Sequence, residues 1–111
     1  MRPRPFLLLL AGIALALMAA GEADAGKEPK WNYNTGDGVD SVAISADGEY
    51  IAAGSIDRNV YLFDKNSSTP LWNYTTGYGA PSVAISADGE YITAGSADDK
   101  VYLFDKDSST P

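Results

Sequence analysis

An all-β fold built from two tandem, four-stranded antiparallel units is predicted by three observations. Residues 30–70 and 71–111 align without insertion and agree at 31 of 41 positions. Within each unit, apolar residues alternate with small or polar ones over four short runs, at the period of two that a half-buried strand produces. Beyond residue 26, no stretch of useful length carries the 3.6-residue apolar spacing of an amphipathic helix.

The chain opens with a segment of a different kind. Arg2 and Arg4 precede an almost unbroken apolar run over residues 6–20, and Ala23-Asp24-Ala25 presents small residues at the two positions a signal peptidase reads. Residues 1–25 are therefore expected to form a signal-peptide helix cleaved before Gly26. As a helix the apolar run rises only about 22 Å, short of a hydrocarbon core of about 30 Å, which disfavours an uncleaved anchor. The protein is then expected to be secreted, at the cell surface or periplasmic. Residues 26–29 are a short polar leader, followed by repeat unit 1 over 30–70 and repeat unit 2 over 71–111.

In the first unit Val42 and Ile44 alternate with Ser41, Ala43 and Ser45, and Asp47-Gly48 marks a tight hairpin turn. Residues 50–55 form a second strand, in which Gly54 allows close approach of another backbone. A turn at Asp57-Arg58-Asn59 leads into residues 60–63, where Val60 and Leu62 face one way and Tyr61 and Phe63 the other. After a polar connection over 65–70, residues 71–74 begin a fourth strand whose Trp72 and Tyr74 share a face. Val42 and its counterpart Val83 are both expected in the core. A period near 40 residues with four strands per period is the signature of a propeller blade, so the fold class is an incomplete β-propeller of two blades.

Composition limits the chemistry. The chain has no Cys and no His, which removes thiol chemistry, the usual general base and the commonest metal ligand. Eight Lys and Arg against fifteen Asp and Glu give a net charge of −7. Cleavage after Ala25 removes two of each sign and leaves that charge unchanged. An acidic chain without a basic face is not expected to bind nucleic acid, or a membrane beyond its signal peptide.

The runs 41–48, 53–57 and 60–64 together resemble a blade of the WD-repeat propeller family, and the second unit matches over 82–105. The resemblance covers about 80 residues, with three submotifs in order, twice. It implies that Asp57 and Asp98 are structural residues in the turn between the second and third strands. It also implies that Phe63-Asp64 and Phe104-Asp105 stand in place of the family's Trp-Asp pair. Where the family has Gly-His before the first strand, this chain has Gly36-Asp37 and Gly77-Tyr78, so the buried Asp-His-Ser-Trp network cannot form in full. The segments 30–33 and 69–74, with Trp31 and Trp72, resemble instead the Leu-Trp outer strand of pyrroloquinoline-quinone-type propeller repeats.

Closed propellers need about four to eight blades to cover every blade face. Two blades are expected to be part of a longer run, or to associate with further copies into a ring; three or four copies give six or eight blades. The favoured function is a non-catalytic, secreted or cell-surface scaffold that binds a protein partner or additional propeller blades. The alternatives are a fragment of a quinone-dependent dehydrogenase and a structural surface-layer or adhesin repeat. No cofactor, catalytic residue or metal ligand is assigned. Asp64-Lys65-Asn66-Ser67 and Asp105-Lys106-Asp107-Ser108 begin like oxygen-rich calcium loops but lack the later Gly and Glu. Asn66, in Asn-Ser-Ser, is a candidate glycosylation site; Asn73, in Asn-Tyr-Thr, is a weaker one inside a strand.

Overall fold

Asp47 and its repeat Asp88 show how local chemistry starts each hairpin. Asp47 Oδ1 accepts hydrogen bonds from the Ser45 hydroxyl at 2.6 Å and the Glu49 N–H at 3.0 Å. This holds a four-residue turn closed by Ser45 N–H to Tyr50 C=O at 3.0 Å. Gly48 (φ 74°) and Gly89 (φ 76°) occupy the left-handed position that the turn requires. The computed structural model describes residues 27–79 and 81–111, and the segment read as a signal peptide lies outside them. Among the described residues no helix is long and apolar enough to cross a membrane.

The first sheet contains β1 (Val39–Ile44), β2 (Tyr50–Ser55), β3 (Asn59–Asp64) and β4 (Trp72–Thr75), antiparallel and in sequence order. Its register sets Val42 opposite Ala53, Ile51 opposite Phe63 and Leu62 opposite Trp72, with an irregularity between Val39 and Ser41. The second sheet contains β5 (Ser82–Ile85), β6 (Tyr91–Ser96) and β7 (Lys100–Asp105). It has three strands rather than the expected four. The physical reason lies in the connectivity: β4 belongs by sequence to the second repeat but pairs with β3, so the first sheet takes its outer strand from that repeat and the second sheet keeps three. Among the described residues the homologous segment 31–34 at the head of the first repeat pairs with no strand, and β7 is an edge.

The main core lies between the sheets. Ala52, Val60 and Leu62 of the first pack against Ile92, Ala94 and Phe104 of the second, with Trp72, Tyr74, Val83 and Ile85 around them. The aromatic residues of β4 thus serve two sheets. Their backbone pairs with β3, while Trp72 lies 5.0 Å from Phe104 between ring centroids and Tyr74 lies 5.4 Å from Tyr102. The Trp72 indole N–H donates to Lys106 C=O at 2.8 Å. Trp31 and Tyr33 repeat these contacts on the other face of the first sheet. Trp31 lies 5.1 Å from Phe63, Tyr33 lies 5.5 Å from Tyr61, and the Trp31 indole N–H donates to Lys65 C=O at 2.8 Å. A smaller cluster of Ala53, Tyr61 and Phe63 forms there.

One core expectation is overturned. Val83 is half-buried between the sheets, but Val42 is 67% exposed. The two side chains occupy the same place in their repeats, yet only Val83 has a sheet in front of it.

Candidate binding rim

Strand directions divide the loops between two rims. One carries residues 35–38, 56–58, 76–79 and 97–99, and the other carries 45–49, 65–71, 86–90 and the segment after 105. Ten positions differ between the repeats. Six of them (37/78, 39/80, 40/81, 56/97, 58/99 and 59/100) fall where the chain enters β1 and β5, up to the first two residues of β1, or in the β2–β3 and β6–β7 turns and the first residue of the strand that follows each. The turns 45–49 and 86–90 are identical in sequence. The scaffold is thus repeated and one rim is varied, as expected where loops carry recognition on a rigid frame.

Asp57 organises that rim. Its carboxylate accepts from Gly36 N–H at 2.8 Å, Asn59 N–H at 2.9 Å and the Tyr61 hydroxyl at 2.5 Å. Asp98 does the same with Gly77 N–H at 2.9 Å, Lys100 N–H at 2.9 Å and the Tyr102 hydroxyl at 2.5 Å. Burial raises the Asp57 carboxyl, but the hydrogen bonds from Tyr61, Asn59 and Gly36 outweigh it and hold the group below the usual carboxylate range. The Tyr102 hydrogen bond leads in holding Asp98 low. Burial, and then the hydrogen bond to Asp57, push the Tyr61 phenol up, so it remains a donor. A carboxylate held low, with three donors already on it, is a poor general base. Ser55 completes the lock: its hydroxyl oxygen accepts from Asp57 N–H at 3.1 Å and its proton reaches Gly38 C=O at 2.9 Å.

Between the two turns lies an open cleft of about 560 Å³, lined by Ile56, Arg58, Tyr78, Gly79 and Ala97. All but Gly79 occupy positions that differ between the repeats. Arg58 sits at φ 81°, a left-handed conformation that costs an L-residue about 1–2 kcal/mol. Its carbonyl is fixed by Thr76 N–H at 2.8 Å. The buried Thr76 hydroxyl lies 2.9 Å from Arg58 C=O and 2.6 Å from Tyr78 C=O, and donates to one of them at a time. Thr76 therefore clamps the turn bearing Arg58 to the loop bearing Tyr78. Arg58, Tyr78 and Ile56 leave side chains in solvent, the Arg, aromatic and aliphatic mixture that anchors protein interfaces.

The other residues singled out in the sequence lie elsewhere. Phe63 and Phe104 are buried packing residues beneath Trp31 and Trp72. Asp64 and Asp105 lie at the opposite rim, where their carboxylates accept Asn66 N–H at 2.8 Å and Asp107 N–H at 2.9 Å. These are self-contained turns rather than ion-facing ligands. Among the described residues no group of three or more Asp, Glu, His or Cys side chains is placed to hold a metal ion. Asn66 is exposed in its turn, and Asn73 is exposed within β4. Sequence reasoning missed Tyr61 and Tyr102 as the partners of Asp57 and Asp98, and missed the Arg58–Tyr78 cleft. The clustering of differences between the repeats was the signal that could have found the cleft.

A family model described as WD domain, G-beta repeat matches residues 28–64 and 71–105. No curated protein matches the chain.

Proposed function

The chain belongs to the WD domain, G-beta repeat family, and from that premise we propose that it is a non-catalytic scaffold which binds a protein partner through the varied rim, with Arg58, Tyr78 and Ile56 at the centre of the contact. The observation that carries this reading is the placement of repeat differences. Two units that agree at 31 of 41 positions diverge where their turns meet and form a cleft. Packing accounts for the shared residues, since they build the strands and the locks; it does not account for Arg58 and Tyr78, whose side chains reach solvent. The location follows from the leader: Arg2, Arg4, the apolar run 6–20 and Ala23-Asp24-Ala25 favour export and a secreted or cell-surface scaffold.

Two measurements test the reading. N-terminal sequencing of the exported protein should begin at Gly26; an intact Met1 on protein recovered inside the cell overturns the location. For the binding rim, a photocrosslinking aromatic is placed at Tyr78 on the varied rim, or at Asp88 on the constant one. Cells carrying the first should yield a crosslink to a different protein, and Arg58→Ala should weaken that complex by about 1–3 kcal/mol. Equal crosslinking from both rims, or from neither, removes the rim from the function.

A further inference from the structure

The two outward faces of this blade pair repeat the two faces that already meet inside it. In the internal junction Val60 and Leu62 of β3 are 0% exposed, covered by the second sheet. Their counterparts on β7, Val101 and Leu103, are 84% and 56% exposed. On the receiving side Val83 and Ile85 of β5 pack into the internal core, whereas Val42 and Ile44 of β1 are 67% and 61% exposed. All four residue pairs are identical between the repeats.

We propose that this chain docks head to tail on further copies of itself, the β6–β7 face of one copy seating on the β1 face of the next. Single internal contacts supply the details. Gly54 admits the Pro81 carbonyl where any Cβ would collide with it, and its counterpart Gly95 keeps the same open approach with nothing within 4 Å. Tyr50 packs on Gly89, and Tyr91 is the exposed residue that would meet the open Gly48 of a neighbour. Val83 N–H donates to Ser41 Oγ at 3.2 Å and Ala46 N–H to Ala87 C=O at 2.9 Å; Val42 and Ser82, and Ala87 and Ala46, are the residues that would repeat these bonds between copies. The unpaired segment 31–34 then becomes the fourth strand of the second sheet. By the β3–β4 register, Trp31 lies opposite Leu103 and Tyr33 opposite Val101.

Two residues set the strength of this contact. Thr93 replaces Ala52 and Asp40 replaces Pro81, so the junction between copies is more polar than the internal one. A contact that joins two different faces either closes into a ring or propagates, and blades close at about four to eight, which takes two to four copies. This inference goes beyond the scaffold reading and does not depend on it.

The test is the mass of the purified protein by analytical ultracentrifugation, with folding checked by circular dichroism. The chain should sediment as a discrete oligomer of two to four copies; a monomer, or a particle that grows without limit, overturns the proposal. Val42→Asp and Leu103→Asp each leave one face intact. Each should be a folded monomer alone, and an equal mixture should give a dimer containing one of each. Either variant assembling as the parent does, or a mixture that stays monomeric, overturns it. Gly95→Ala adds a methyl group to open space in the single chain, so it should fold normally. It should nonetheless weaken assembly about tenfold, because the added methyl group would meet the neighbour's backbone as one at Gly54 would meet the Pro81 carbonyl. Unchanged assembly of that variant is a third way for the proposal to fail.

Discussion

Asp57 and Asp98 take their role from what surrounds them. Each is a turn carboxylate that fixes the N–H two residues on, the N–H of a preceding loop and a tyrosine hydroxyl four residues away in sequence. Since the folded state holds both below the unfolded carboxyl value of about 3.9, their contribution is present above that pH and lost as pH falls through the folded value. The double variant Asp57→Asn, Asp98→Asn should therefore melt at a lower temperature than the parent at pH 7. That gap should narrow as pH falls below about 3.9 and through the folded value, where the parent's carboxyls take up protons too. Thermal melts across that range check it, and a gap independent of pH would assign the loss to packing. Tyr61→Phe should raise the Asp57 titration in a carbon-detected NMR series, because it removes a donor that favours the charged form.

At the scale of the strand, equal sequences have unequal burial. β1 and β5 share Ser-Val-Ala-Ile, but only on β5 do the Val and Ile side chains face another sheet. Val83→Asp puts a carboxylate between the sheets and should cost about 3 kcal/mol or more, as an unpaired buried charge does. Val42→Asp should change the stability of the single chain by no more than about 0.5 kcal/mol, the range for exposed positions. Urea unfolding in dilute solution compares the two, and equal losses would contradict the facing of the sheets. Lys65 and Lys106 belong to the tolerant group. Their ion pairs with Glu49 at 3.2 Å and Glu90 at 3.8 Å lie on the surface, where such pairs contribute about 0–1 kcal/mol.

The two sheets are held together by a core that neither of them owns. Leu62, Val60 and Ala52 come from one sheet and Phe104, Ile92 and Ala94 from the other, while the aromatic residues of β4 bridge both. Repeat arrays couple through such nearest-neighbour contacts, so the two sheets should unfold together. Leu62→Ala should cost about 2–5 kcal/mol and lower hydrogen-exchange protection in β6 as much as in β2. Protection retained in β6 would mean that the second sheet folds on its own.

Most of the strand plan was legible because its signals are local. Alternation at Val42 and Ile44, the Asp47-Gly48 turn and the opposed faces of Val60-Leu62 and Tyr61-Phe63 need no information from distant residues, and the repeat states them twice. Pattern alone gave Trp31 and Trp72 the same outer strand, yet Trp72 pairs with β3 while Trp31 keeps only its side-chain contacts. Strand pairing needs a partner edge, and a sequence period does not say which edges are occupied. The rim was harder to read. That Tyr61 closes on Asp57, and that Ile56, Arg58, Tyr78 and Ala97 line one cleft, depends on loops far apart in the chain meeting across two sheets. The sequence by itself determined the blades, their repeat and their turns, because backbone conformation and side-chain alternation are short-range properties. Only the tertiary structure decided which copy of each identical face is buried and which meets water, because burial belongs to the neighbour as much as to the residue.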